Sequence, residues 1–279
     1  MKYDLHLHTT GSDGRLTPTE LVRLARTRGL EVIAVTDHDS VGGVKEALEE
    51  ASRVPQITII PGVEINTDLP TGELHVLGYF IDYTDKDLLV SLGKIRESRV
   101  GRAEKMVDKL HGLGLSVEWQ RIMDLARGDS ICRTHIAQAM LEKGYVSSEK
   151  EAFDKYIGRN GPAYVERDKV KPVDAVRIIK RAGGLPVLAH PADIQDLDAM
   201  LKELMEAGLI GMETYYGQYD SATIERLAGI ADQYKLLKTG GTDYHHFQDE
   251  QEVPMGSVDI PDECIRKLFS AAGKKYEPK

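Results

Sequence analysis

The feature that most constrains this chain is one repeated unit: a short apolar run, a polar residue at its end, then an amphipathic segment. The runs LEVIAVT, QITIIPGV, LPVLA, LIGMETYY and LLKTGG alternate with LVRLARTRG, VKEALEEASR, PVDAVRIIKR, DLDAMLKELMEAG and SATIERLAGIADQY. Apolar runs of this length read as strands buried on both faces, and the alternation with helices favours a parallel sheet with right-handed crossovers. Repeated units without a Gly-rich dinucleotide fingerprint favour a closed barrel over a doubly wound sheet. Local signals agree. Thr17-Pro18-Thr19-Glu20 is a capping box with proline at the first helical position, and Gly29 stops the helix that follows. Asp39, beside Ser40, is expected to cap the second helix. Gly72 is expected in a turn, with ELHVLGYFID after it as a further strand.

The alternation is interrupted once. Residues 88–163 are charged, helical in pattern and poor in strand signals. LLVSLGKIRESRVGRAEKMVDKLHGLG reads as a long helix broken near Gly101. The expected organisation is a barrel formed by 1–87 and 164–279, with a small helical domain inserted at 88–163.

Bulk properties narrow the chemistry. Cys132 and Cys264 are far apart and form no CxxC pair, so any metal must be held by His, Asp and Glu. The net charge of −9 disfavours binding along duplex DNA but not a small anion beside bound cations. Nothing resembles a leader or a membrane span, so a cytoplasmic protein with no membrane partner is the expectation. The sequence leaves the oligomeric state open.

Polar residues concentrate at strand ends. In DLHLHTTGSDG, Asp4, His6 and His8 share one parity and Tyr3, Leu5 and Leu7 the other, with Asp13 in a Gly-bounded turn. His38 follows EVIAVT, Glu64 follows ITIIPGV, His190 follows PVLA, and Asp243 and His245 follow LLKTGG, while His75 lies within ELHVLGYF. In a barrel these positions meet at one mouth. Asp37 reads equally as a residue orienting a ligand histidine or as a turn residue. Glu213 reads as supporting or solvated, and His111 and His246 as ordinary neighbours.

His6-Leu7-His8 with Asp13, Thr36-Asp37-His38-Asp39, Gly62-Val63-Glu64, Ala189-His190-Pro191 and Gly241-Thr242-Asp243-Tyr244-His245 resemble the motifs of the PHP (polymerase and histidinol phosphatase) family. The resemblance implies a distorted (β/α)7 barrel of amidohydrolase type with two or three divalent metal ions, Mn²⁺ foremost, with Zn²⁺ or Fe²⁺ as alternatives. It implies one metal on His6, His8, Glu64 and Asp243, and a second on Asp13, His38 and His245. A third would take His75 and His190, with Glu64 bridging. A metal-bridging hydroxide would then attack phosphorus. His38, His245 and Asp243 are the candidate catalytic groups, with the leaving-group acid unassigned, because either histidine assists only if not fully committed as a ligand. Within the insertion, Arg133-Thr134-His135-Ile136-Ala137 and Gly161-Pro162-Ala163-Tyr164-Val165 resemble a branch containing 3′,5′-nucleoside bisphosphate phosphatases and 5′-to-3′ exoribonucleases. That implies a small phosphorylated substrate, a nucleotide or short RNA. Arg99, Arg102, Arg133 and His135 are candidates for its second phosphate, and Tyr164 for stacking on a base. Histidinol-phosphate-type or cyclic-phosphate hydrolysis, and a non-catalytic polymerase-associated domain, are the alternatives.

Overall fold

The computed structural model describes residues 2–54, 56–69, 72–127, 130–166, 170–247 and 252–276. In chain order the first half carries β1 (Tyr3–Leu7), α1 (Pro18–Thr27), β2 (Val32–Val35), α2 (Val44–Arg53), β3 (Thr58–Leu69), β4 (Gly72–Tyr79) and α3 (Lys86–Gly112). Then come α4 (Trp119–Ala126), α5 (Arg133–Glu142) and α6 (Glu149–Ala152), the last running into a π turn at Phe153–Ile157. The rest is α7 (Pro172–Arg181), β5 (Leu185–Leu188), α8 (Leu197–Ala207), β6 (Gly211–Tyr216), α9 (Ser221–Gln233), β7 (Leu237–Gly241) and α10 (Asp262–Ala271).

The strands lie side by side in sequence order, β1 to β7. Leu7 bridges in parallel to Tyr244 beyond β7, and His8 N–H donates to the Tyr244 carbonyl at 3.0 Å. The sheet is thereby drawn round into a nearly closed, distorted seven-stranded barrel. Not all of it is parallel: β4 runs antiparallel to both β3 and β5. The reason is local. β3 and β4 form a long hairpin with no helix between them, and only a crossover can restore the parallel direction. The turn expected at Gly72 falls on the hairpin's connection, whose residues 70 and 71 lie outside the described residues; Gly72 itself opens β4.

Alternate strand residues divide the core into layers. Leu7, Ile33, Val35, Ile59, Val76, Leu188 and Met212 pack outward against α1, α2, α7, α8 and α9. Tyr3, Leu5, Val32, Ala34, Ile60, Leu77 and Val187 point inward and meet Ile265, Leu268 and Phe269 of α10. These inward residues come mostly from strand starts, so α10 plugs the amino-terminal end of the barrel. Strict alternation fails in β1: Leu5 faces inward with Tyr3, but Leu7 packs outward. The register slips between Asp4 and Leu7, and such an irregularity re-aims the residues that follow it.

The helical segment has its own core, built from Met106, Leu110, Val117, Ile122, Ile136, Met140 and Ile157. The change of core occurs inside α3. Its Leu88, Leu92 and Ile95 pack on the barrel, and its Ala103 to Leu110 belong to the second core. Gly101 does not break this helix: Arg99, Arg102 and Ala103 are buried on either side of it, and a helical glycine costs only roughly 1 kcal/mol.

The expected capping box at Thr17 is present, with Glu20 N–H donating to Thr17 Oγ1 at 3.2 Å and Thr17 N–H to Glu20 Oε2 at 2.8 Å. Asp39 does not cap α2, whose N-cap is Gly43. Its carboxylate is turned the other way, accepting from Asn66 N–H at 3.0 Å and from Arg99 Nε at 2.6 Å.

Candidate metal centre

The carboxyl-terminal mouth, opposite α10, gathers six histidines, one glutamate and two aspartates from six strands, β1 to β5 and β7, and the turns that follow them. Glu64 is at its middle. Its Oε2 lies 3.3 Å from His6 Nε2, 3.3 Å from His8 Nε2 and 2.8 Å from His38 Nδ1. Its Oε1 lies 2.8 Å from His75 Nδ1 and 3.3 Å from His190 Nε2. Asp243 Oδ1 approaches His6 at 3.3 Å and His8 at 3.0 Å, while Asp13 Oδ1 lies 3.4 Å from His245 Nε2. Three overlapping groups have donor atoms close enough to share an ion: His6, His8, Glu64 and Asp243; His8, Asp13, His38 and His245; and His38, Glu64 and His75. His190 lies outside these three groups; its Nε2 meets the cluster at Glu64 Oε1.

The donor set fits divalent cations. His6 Nε2, His8 Nε2, His38 Nδ1, Asp13 Oδ1, Glu64 Oε2 and Asp243 Oδ1 are all buried without a hydrogen-bond partner. Six buried polar atoms left so would cost several kcal/mol together, at about 1–3 kcal/mol each. Imidazole nitrogens and carboxylate oxygens converging on common points are what a borderline divalent ion satisfies.

A supporting layer sets their direction. Glu213, wholly buried on β6, accepts from His6 Nδ1 at 3.0 Å and from the His190 backbone N–H at 2.8 Å. The first contact fixes the His6 tautomer that leaves Nε2 bare. Asn66 meets His75 Nε2 at 2.9 Å, and Tyr216 donates its hydroxyl to Asp243 Oδ2 at 2.9 Å. Asp37 accepts from Thr9 N–H at 2.7 Å and Ser12 Oγ at 2.8 Å, so it braces the turn that delivers Asp13. The backbone is unusual at two of these positions: His190 has φ 26° and Asp243 φ 55°. Such conformations persist only where the surroundings enforce them. Gly241 lets β7 lie against β1, since a Cβ there would sit 2.5 Å from His6 Cβ.

Electrostatics follows from burial and proximity. Burial favours neutral carboxyls, yet the surrounding imidazoles hold Asp13, Glu64 and Asp243 well below the usual carboxylate range. Burial works against protonated His245, but Asp13 and Asp243 outweigh it and lift the group to about 10. His8, buried and beside His245 and His38, is pushed down to about 3. The metal-free centre therefore holds ionised carboxylates and a mixture of charged and neutral imidazoles, and metal binding must displace protons.

The insertion meets this centre through Thr134, at the start of α5, whose Oγ1 donates to Asp13 Oδ2 at 3.1 Å. Arg133 pairs with Glu73 at 2.7 Å, and Arg102 lies 3.7 Å from the same glutamate and donates to the Val165 carbonyl at 2.7 Å. Arg99 is buried against Asp39 at 2.6 Å. His135 is buried, and its Nδ1 accepts from Cys132 N–H at 3.0 Å. Tyr164 lies under the Arg102 guanidinium, 5.1 Å from ring centre to charge. His111 bonds the Val117 carbonyl, and His246 bonds the Tyr244 hydroxyl. Sequence reasoning missed Thr134, Asn66 and Tyr216. Each is a common polar residue whose value lies in a partner distant in the chain, and no local pattern marks that.

The PHP domain model matches residues 4–92. The chain is 33% identical over 248 residues to a 5′-3′ exoribonuclease of Haemophilus influenzae, covering 88% of this chain and 90% of that one. It is 33% identical over 247 residues to a 3′,5′-nucleoside bisphosphate phosphatase of Chromobacterium violaceum, covering 87% and 86%. A phosphoribosyl 1,2-cyclic phosphate 1,2-diphosphodiesterase of Eggerthella lenta is 32% identical, covering 87% and 93%. Among solved structures, an amidohydrolase from Chromobacterium violaceum with bound sulfate and no metal superposes with a TM-score of 0.88 at 32% identity, covering 98% of this chain and 97% of that one. With the barrel, the ligand-rich mouth and relatives matched over nearly their whole length, the chain belongs to the PHP family and is a metal-dependent phosphoesterase.

Proposed function

We propose that this chain hydrolyses phosphate monoesters of nucleotides, foremost the 3′-phosphate of nucleoside 3′,5′-bisphosphates, and also the 5′ ends of short RNA. The observation that carries the reading is the set of six buried, unpartnered donor atoms converging at the barrel mouth. His6, His8, Glu64 and Asp243 would hold one divalent ion; Asp13, His38 and His245 a second; and His75 and His190, with Glu64 shared, a third. Mn²⁺ is the leading choice, with Zn²⁺ and Fe²⁺ as alternatives. Such ions, when bound, supply an activated water near neutral pH and neutralise charge building on the phosphoryl oxygens.

The chain's own residues do the rest. Glu213 and Asn66 keep His6 and His75 aimed inward. We assign the proton of the leaving oxygen to His38, His245 and Asp243. Residues 88–163 act as a cap over the mouth, Thr134 being its contact with Asp13. Arg102 and Arg133 share Glu73, and we assign this basic pair to the phosphate that is not hydrolysed, with Arg99 and His135 behind them. No helix among the described residues is long and apolar enough to cross a membrane. We place the enzyme in the cytoplasm, acting on small substrates and not on duplex DNA.

A cyclic phosphate is the second reading, because the Eggerthella lenta relative is as similar as the others. The test is a panel with the metal-reconstituted protein: adenosine 3′,5′-bisphosphate, a 5′-phosphorylated oligoribonucleotide, phosphoribosyl 1,2-cyclic phosphate and histidinol phosphate. Fastest phosphate release from the bisphosphate supports the reading. Preference for the cyclic or the histidinol ester replaces it.

A further inference from the structure

Beside the metal centre, between the loop after β7 and the insertion, lies a cleft of about 380 Å³ that the assignments above do not use. Its walls include Arg15, Thr134, Leu141, Phe153 and Phe247. Two phenyl rings are its largest apolar surfaces. Phe247 stacks on His245 at 4.7 Å and 20°, so one wall is in contact with the cluster itself. Phe153 opens the π turn after α6, a local widening of the helix often found at functional sites. Each ring carries a guanidinium: Arg15 lies 5.3 Å from the Phe247 centre and Arg133 5.3 Å from that of Phe153. The inner end is Thr134, bound to Asp13.

We propose that this cleft receives the nucleobase of the substrate, stacked on Phe247 and Phe153, so that the ester phosphate reaches the metal centre past Thr134. The inference rests on the nucleotide reading above and adds where the base is recognised. The volume lies within the usual range for small-ligand sites, about 300–1,000 Å³. The wall carries charges of both signs, with Arg15 paired to Glu149 and Lys150 to Asp154, and a neutral heterocycle adds no net charge to it. Stacking on an aromatic face tolerates any base, so the cleft would select nucleotides over other phosphate esters without choosing among bases.

The experiment has two arms, each run on wild type, Phe247→Leu and Phe153→Leu; leucine keeps most of the bulk and removes the ring. The first arm measures kcat/KM for adenosine 3′,5′-bisphosphate relative to glycerol 2-phosphate. Loss of one stacking ring, about 1–3 kcal/mol, should lower this ratio roughly 5- to 150-fold, carried by KM. The second arm measures adenosine binding by equilibrium dialysis, and it should weaken in step. Equal losses on both esters, or adenosine binding that the variants do not change or that wild type lacks, overturn the cleft. Adenosine binding that depends on both rings, in a protein that does not hydrolyse the bisphosphate, would keep the cleft and overturn the nucleotide-phosphatase reading instead.

Discussion

Glu213→Gln isolates the role of one buried carboxylate that would touch no substrate. Glu213 spans two elements of the centre, taking His6 Nδ1 at 3.0 Å with Oε1 and the His190 N–H at 2.8 Å with Oε2. Glutamine has the same shape but only one acceptor. If its oxygen keeps the His190 N–H, its amide NH₂ faces His6 Nδ1, which must then become the acceptor. The His6 proton moves to Nε2, the atom that points at Glu64 and Asp243. A ligand nitrogen is thereby blocked. Removing such a supporting partner typically costs 10- to 100-fold in metal affinity, about 1.4–2.7 kcal/mol. The assay is metal content after dialysis against graded free Mn²⁺, together with the metal concentration giving half-maximal hydrolysis. Both curves should shift by one to two decades. A variant that melts lower but keeps both curves in place would show that Glu213 only supports the fold, and the tautomer argument would be wrong.

His8→Ala or Asp243→Asn should abolish phosphate release with the circular dichroism spectrum retained; near-normal turnover in either would contradict the cluster. Arg133→Ala should mainly raise KM for a nucleoside bisphosphate and spare a small chromogenic monoester, so equal loss on both argues against a role at the second phosphate. Arg99→Met leaves Asp39 buried without its cation and should cost about 3–5 kcal/mol in urea melts, with much of this recovered in the Asp39→Asn double variant; a stability change under about 1 kcal/mol with a raised KM would instead favour phosphate binding. In metal-free protein, His245 is raised to about 10 by Asp13 and Asp243 against the cost of burial. A raised histidine contributes stability that is fully present below its unfolded value near 6.5 and is lost as pH rises through 10. The denaturation midpoint of the metal-free protein should therefore fall between pH 7 and 10, and His245→Asn should flatten the slope.

Most of the barrel could be read from the chain, because apolar strands and amphipathic helices carry their own periodicities. So could the positions now gathered at the mouth, since His38, Glu64, His190 and Asp243 end such runs. What failed locally depended on partners far along the chain. Asp39 reads as a helix cap, yet Arg99, sixty residues on, takes its carboxylate. The strict alternation of β1 fails because closure onto Tyr244 demands a slipped register. The direction of β4 is hidden because a strand's apolar pattern is the same read either way. Arg102 and Arg133 read separately as candidates for a phosphate, and only the fold brings Glu73 to both.

The reversal of β4 has a chemical consequence. In a parallel strand the carboxyl end, near Gly78 and Tyr79, would open at the mouth, and His75 would sit lower in the barrel. Run backwards, the strand sets His75 opposite Asn66, two residues past Glu64, and brings its Nδ1 to Glu64. Glu64 itself lies just beyond the point where β3 stops pairing with β2 at Pro61 and begins pairing with β4 at Gly62. One carboxylate therefore faces both halves of the barrel, with His6, His8 and His38 on Oε2 and His75 and His190 on Oε1. A cation bound on either oxygen changes the charge seen from the other. The candidate metal positions are thus one electrostatic unit, and the change of strand direction at Glu64 is what joins them.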